Sequence, residues 1–220
     1  MFRHELMEFH RLKQINSPTG RRYETPTGLS YPSVTTVLGA MKDMTGLNQW
    51  KNRVGHAEAN KIMRRAGSQG TAMHDMCERY LLNQPINMGN NFVANQQFEA
   101  IKGILDEHVT TVFGTEFPLY SHRLKTAGTC DFFCEWDGKK TVLDFKTSIK
   151  TKREEWITDY FVQATVYAMC LYEIYGIKID QIAILISVEH DQPQLFVKDP
   201  LDYIQRALKT FKDYHQGIRP

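Results

Sequence analysis

Residues 128–146 read GTCDFFCEWDGKKTVLDFK. Two apolar runs flank Asp137-Gly138, a dipeptide that favours a two-residue hairpin loop because both residues tolerate the left-handed backbone. With the loop there, Trp136 faces Lys139, Glu135 faces Lys140, and Asp131 falls opposite Asp144. Directly opposed side chains lie about 5 Å apart at Cβ, and like charges in that position destabilise a sheet. Two such carboxylates need a raised pKa or a cation between them. Lys146 lies two residues beyond Asp144, so alternation places it on the same face. Paired acids beside a lysine suit metal-assisted phosphodiester hydrolysis: the acids hold a divalent ion, and the lysine places the attacking water or offsets developing charge. Asp-x-Lys alone is common in strands, so the weight rests on the register. A bulge at the turn would move one acid to the other face.

The same alternation sets Cys130 and Cys134 with Phe132 and Trp136, away from the acids. No C-x-x-C pair is present. With Cys77 and Cys170 they read as reduced packing residues rather than metal ligands or a disulfide.

Downstream of the hairpin, residues 147–153 bring Lys150, Lys152 and Arg153 without an acid, next to Lys146, which suits phosphate contacts. A helix is predicted from about Glu154 to Tyr175, with Gln163 and Tyr167 one turn apart. Strands follow over 181–189 and 194–197, and a closing helix over 201–215.

Upstream, the β-region is expected to begin at Glu116-Phe-Pro-Leu-Tyr120, after a helix over 91–113. That helix carries Phe98, Ile101, Ile104, Leu105, Val109 and Val112 near a 3.6-residue period. A helix starting near Thr71, after a break at Gly67-Ser-Gln-Gly70, presents His74 and Glu78 on one face. On its own, a helical histidine is more often structural than a ligand. Residues 47–65 read as a basic helix with Lys51, Arg53, Lys61, Arg64 and Arg65 around Trp50. It fits a nucleic-acid channel wall and a solvated face equally well. Ser33 caps a short helix reaching about Ala40; a simple cap competes with a phosphate contact there. Two Pro-Thr-Gly turns within 12–31 predict a small surface β-meander.

The chain has 220 residues, 42% of them apolar and 24% charged, which is ample for one globular domain with its own core. A net charge of +2 does not by itself argue for nucleic acid. No apolar run has membrane-spanning length. The first residues lack a signal-peptide core, and Glu5 and Glu8 suit a mitochondrial transit peptide poorly, so a cytoplasmic location is expected. The element order predicts an α/β fold, a mixed central sheet flanked by helices. One domain is expected over 1–220: meander 1–32, helical section 33–113, α/β core 114–220.

The series Gly70-Thr71-x-x-His74-x-x-x-Glu78, Glu116, Gly128-Thr129-x-Asp131, Asp144-x-Lys146 and Gln163-x-x-x-Tyr167 resembles the RecB-type branch of the PD-(D/E)XK nucleases. Each piece is weak, but the five in order are specific. Tyr31-Pro-Ser-Val-Thr35, followed by the Trp50 helix, resembles the mitochondrial genome maintenance exonuclease type, and the compactness suggests a bacteriophage version. The resemblance implies a restriction-endonuclease-like sheet. It implies metal ligation by Asp131, Asp144 and His74, a catalytic Lys146, and Glu116 supporting the metal or its waters. Gln163 and Tyr167 would place the scissile strand or the lysine. Ser33 and Thr35 would lie near phosphate. Trp50, Lys51, Arg53, Thr147, Lys150 and Lys152 complete the expected DNA contacts.

The implied activity is a Mg²⁺- or Mn²⁺-dependent exonuclease on single-stranded DNA, in replication, repair or recombination, acting as a monomer. The helical section would enclose the strand. No late cysteine group follows Cys170, so no iron–sulfur cluster is expected. Rival readings are an endonuclease of the same fold, a non-catalytic DNA-binding accessory protein, and a zinc protein using Cys77 and His74 with Cys130 or Cys134.

Overall fold

A computed structural model describes residues 1–219. Nine strands and six helices follow one another as β1 (Arg3–His4), β2 (Lys13–Ser17), β3 (Gly20–Glu24), β4 (Ser30–Pro32), α1 (Val34–Ala40), α2 (Thr45–Val54), α3 (His56–Leu81), α4 (Phe92–His108), β5 (Val109–Ser121), β6 (Thr126–Trp136), β7 (Lys139–Ser148), α5 (Thr158–Tyr175), β8 (Gln181–Val188), β9 (Gln194–Lys198) and α6 (Leu201–His215). The fold is α/β. Its central sheet is mixed, in the order β1-β5-β6-β7-β8-β9, and β2–β4 form the expected separate meander.

The hairpin forms as the Asp-Gly pair predicts. Asp137 and Gly138 have φ of 50° and 73°, the left-handed pair a two-residue loop needs. The register runs from Trp136–Lys139 and Glu135–Lys140 to Phe132–Leu143. From Thr141 onward β7 also pairs with β8, in parallel, and α5 makes the crossover. Every residue of β8 is buried, because helices cover both faces of the sheet. On one face α1, α5 and α6 cover Phe117, Phe133, Val142, Ile182 and Ile184. On the other, α3 and α4 cover Phe132, Trp136, Leu143, Phe145 and Leu185.

The structure differs from the expectations at five places. There is no break at Gly67-Ser-Gln-Gly70: α3 runs through it, and the chain turns at Gly55, whose φ is +86°. A helical glycine costs only about 1 kcal/mol, and α3 recovers that by burying Met73, Met76, Cys77 and Leu81. The helix expected over 91–113 stops at His108, and the β-branched run Val109-Thr110-Thr111-Val112 opens β5 instead. Val109 and Val112 mimicked a helical period because β-bulges between Val109 and Thr111 and between Val112 and Gly114 shift the pleat. Both valines therefore reach the same α3–α4 core, three residues apart in a strand.

The remaining differences are smaller. Arg3–His4 pairs in parallel with β5, so the first residues join the central sheet rather than the meander. A 3₁₀ turn at Glu154–Trp156 precedes α5. Finally, Cys130 and Cys134 do not share a face: Cys130 lies in the α5 core and Cys134 in the α3–α4 core. Alternation along β6 breaks at Asp131, one residue beyond the end of its ladder to β7. All four cysteines are buried and free. No helix among the described residues is long and apolar enough to cross a membrane.

Candidate active site

The ladder between β6 and β7 ends at Phe132–Leu143, one step before the two opposed acids. There Asp131 Oδ2 accepts the Phe145 N–H at 3.0 Å, so a side chain takes the place of a strand bond and the sheet splays. The two acids have different partners at this splay. Asp144 is 1% exposed. Its Oδ1 accepts a hydrogen bond from Gln163 Nε2 at 2.8 Å. Its Oδ2 forms an ion pair with Lys146 Nζ but is without a well-aligned hydrogen bond.

Asp131 faces α3 instead. Its Oδ2 lies 3.6 Å from His74 Nδ1, and Glu116 Oε1 lies 3.7 Å from the same nitrogen. Glu116 comes from β5 with φ of +44°, an uncommon conformation for a residue with a side chain, and one that strands do not otherwise adopt. His74 Nε2 lies 3.0 Å from the Phe145 carbonyl. Only an N–H can bond there, so the neutral ring keeps its Nδ1 lone pair for the cluster. Donor atoms of His74, Glu116 and Asp131 lie within 4.8 Å of one another. The metal set expected from the resemblance was His74, Asp131 and Asp144. The geometry instead groups Glu116 with His74 and Asp131, while Asp144 turns to Lys146 and Gln163.

Four groups of the site are held above their ordinary pKa values. Burial pushes the Asp144 carboxyl up to about 6, against the pull of Lys146. Burial likewise raises Asp131, outweighing the positive charges of His74 and Lys146. Burial works to lower the Lys146 ammonium, but Asp144 and Asp131 overcome it and hold the lysine above its ordinary value. Burial also acts to lower His74, and the hydrogen bond to Glu116 with the charge of Asp131 reverses the sign. Carboxylates crowded this way are short of positive charge, which a cation would supply.

These groups sit in a cleft of about 590 Å³. Pieces of all five sequence motifs reach its wall: Gly70 and His74 from α3, Glu116 from β5, Gly128 and Asp131 from β6, Lys146 from β7, and Gln163 and Tyr167 from α5. Ser33 and Thr35 reach it too. The Ser33 hydroxyl is already engaged: it accepts the Thr36 N–H at 3.0 Å as the cap of α1 and contacts the Thr35 and Thr36 hydroxyls.

The other expected DNA contacts do not join this cleft. Trp50, Arg53, Thr147, Lys150 and Lys152 line a separate cavity, and Lys51 lines neither. Residues at or beside the cleft that were not anticipated include Asp75, Arg21, Tyr23 and Tyr160. Arg21 and Tyr23 arrive from the meander, which Tyr23 ties to β6 through its hydroxyl, 3.1 Å from Thr129 Oγ1. Nothing in a short polar hairpin signals that. Tyr160 places its ring 5.1 Å from Lys146 Nζ, and its position one turn before Gln163 on α5 was the available signal.

Gly128 shows why the motif needs a glycine. A Cβ there would lie 2.8 Å from Tyr167 Oη, and the tyrosine is buried. Gly128→Val should therefore cost about 1–3 kcal/mol or more by overpacking. Urea denaturation would check this, and Tyr167→Phe, which removes the hydroxyl, should recover part of the loss.

No family model and no curated protein sequence matches the chain. Among solved structures, one described as "Crystal structure of SSO0001" is similar over 84% of this chain and 74% of that one, at 14% identity and a TM-score of 0.43.

Proposed function

We propose that the protein is a divalent-metal-dependent nuclease of the PD-(D/E)XK type, RecB-type branch, degrading single-stranded DNA from an end. The observation that supports it is the convergence in one cleft of His74, Glu116 and Asp131 with Lys146, beside the buried Asp144. The donor set of one imidazole and two carboxylates fits Mg²⁺ or Mn²⁺, the nitrogen being better tolerated by Mn²⁺.

When bound, such an ion supplies Lewis acidity toward water and the phosphate oxygens. The residues supply the rest. His74, Glu116 and Asp131 would hold the ion. Asp144 keeps Lys146 charged and points it at the cleft, and Gln163 fixes Asp144 by its hydrogen bond. A lysine held above its ordinary pKa is a donor at neutral pH, not a base. Lys146 therefore orients the attacking water and offsets charge on the phosphorane-like transition state. The Tyr160 ring bounds the lysine on its other side. Arg21, which reaches the cleft from the meander, is available to a neighbouring phosphate.

A single-stranded oligonucleotide labelled at either end, and a closed single-stranded circle, test this reading. Each is incubated with Mg²⁺, Mn²⁺ or EDTA. The expected result is loss of the linear strand only with metal, an intact circle, and a polarity given by the labels. A cut circle would replace the exonuclease with an endonuclease. Intact DNA throughout, with binding retained, would favour the accessory-protein reading.

A further inference from the structure

The positive charge of this chain is unevenly spread. Residues 9–31, the meander and the segment entering it, carry Arg11, Lys13, Arg21 and Arg22 against one acid, Glu24. The turn joining β5 and β6, residues 122–125, adds Arg123 and Lys125 and no acid. The two stretches are neighbours, Tyr31 Oη lying 2.9 Å from His122 Nδ1. Together they hold more positive charge than the whole chain, whose net is +2, so the remainder is net negative. None of these cations forms an ion pair among the described residues.

This basic surface is continuous with the cleft and fixed to it. Arg21 lines the cleft, and its guanidinium donates only to Tyr23 Oη, at 3.4 Å. The register of the meander sets Asn16 opposite Arg21 and Gln14 opposite Tyr23, so two carboxamides continue the Arg21 face outward, while Glu24 alternates to the other face. Arg11, Lys13 and Lys125 are exposed. Arg22 is engaged by Ser30, and Arg123 lines a groove between α5 and α6. The meander is held to the catalytic sheet by backbone and side chain alike. The Ser33 N–H donates to the Arg21 carbonyl at 2.8 Å, and Thr126 Oγ1 donates to the Pro32 carbonyl at 2.9 Å. Its tyrosines are committed to the body, Tyr23 being buried and Tyr31 bonded to His122. The surface therefore offers cations and amides but no free ring on which a base could stack.

We propose that the meander and the β5–β6 turn form a phosphate-binding surface for the DNA strand where it extends beyond the cleft, with Arg21 at the junction and Arg11, Lys13 and Lys125 holding phosphates farther out. Unpaired cations without aromatic partners bind a polyanion backbone irrespective of its sequence. The surface lets a chain of nearly balanced charge hold a long strand, because the attraction is local rather than a property of the net charge. Its ligand rests on the single-strand nuclease reading.

The test is fluorescence anisotropy in EDTA with labelled dT6, dT20 and a twenty-unit abasic strand. The variant carrying Arg11→Gln, Lys13→Gln and Lys125→Gln should keep the affinity of wild type for dT6 and lose about tenfold or more for dT20 at about 0.1 M salt. Its plot of log affinity for dT20 against log salt should be shallower by about two, each single-strand phosphate contact contributing about 0.7. The abasic strand should lose as much as dT20, because the contacts are to phosphate. A control variant, Lys102→Gln with Lys139→Gln and Lys140→Gln, changes the net charge equally on α4 and at the β6–β7 turn and should bind dT20 as wild type does. Circular dichroism checks that both variants fold. An equal loss in the control, an unchanged salt slope in the first variant, or a loss on dT6 as large as on dT20 would overturn the surface.

Hydrolysis of dT20 with Mg²⁺ separates this from the nuclease reading. Cleavage by wild type, with dT20 affinity unchanged in the first variant, removes the surface and keeps the enzyme. Loss of dT20 affinity in that variant, with no cleavage by wild type, keeps the surface and removes the enzyme. No binding of any strand removes both.

Discussion

Replacing Lys146 by Ala should slow hydrolysis of a single-stranded oligonucleotide about a thousandfold at saturating Mg²⁺, the upper range for losing one preorganised charge or donor at a transition state. The fold should survive. Lys146 is paired with the buried Asp144, and removing one partner of a buried ion pair can cost about 3–5 kcal/mol when the other stays charged. Asp144 has another course: burial already pushes it up to about 6, and without the lysine it takes a proton. The cost is then smaller than that range, and Lys146→Met, which keeps the stem that packs near Tyr160, should lose less stability than Lys146→Ala. Single-turnover cleavage with circular dichroism and a thermal melt reads both effects. A rate within tenfold of wild type, in a folded protein, would remove Lys146 from the chemistry.

The second large effect is on stability as a function of pH. The ordinary carboxyl value for Asp144 is 3.8, and burial raises it to about 6 in the folded chain. The folded state thus binds this proton more tightly than the unfolded state. That preference stabilises the fold fully below pH 3.8 and is lost as the pH rises through about 6. The difference amounts to about 3 kcal/mol at neutral pH. Asp131 and His74 are raised too, so their contributions fade in the same direction.

Asp144→Asn keeps an acceptor for Gln163 and removes the titration. Leaving Lys146 unpaired costs this variant stability, but from pH 4 to pH 7 its difference from wild type should shift in its favour by up to about 3 kcal/mol without metal, measured by urea denaturation in EDTA. Mg²⁺ should act oppositely on the wild type, stabilising it more as the pH rises, because the ion replaces the protons that the cluster gives up. A difference between variant and wild type that stays flat across this window would show that Asp144 ionises normally in the fold.

Much of this protein is legible along the chain. Asp137-Gly138 determined the hairpin loop, because a two-residue turn needs two left-handed residues in succession, and the loop determined the register as far as Phe132–Leu143. The eight buried residues of β8, the polar meander and the amphipathic α6 are equally local, written in alternation, turn residues and helical period. Gly55 and β5 were misread for an equally physical reason. A glycine tolerates both helix and turn, so sequence does not choose between Gly55 and Gly67. A bulged strand can reproduce the spacing of a helix, as Val109 and Val112 do.

What only the tertiary structure decided is which side chains meet. His74 comes from α3 and Glu116 and Asp131 from the paired strands β5 and β6, and they converge because α3 packs on the sheet, because β6 and β7 separate at Asp131, and because Glu116 takes a positive φ. The same packing turned Asp144 away from the trio toward Gln163 and Lys146, brought Arg21 to the cleft, and enclosed Gln97 without a partner. Turns and periodicities depend on neighbours in sequence. The charge environment of a carboxylate depends on whatever the folded chain places within a few ångströms of it, and that is set by packing.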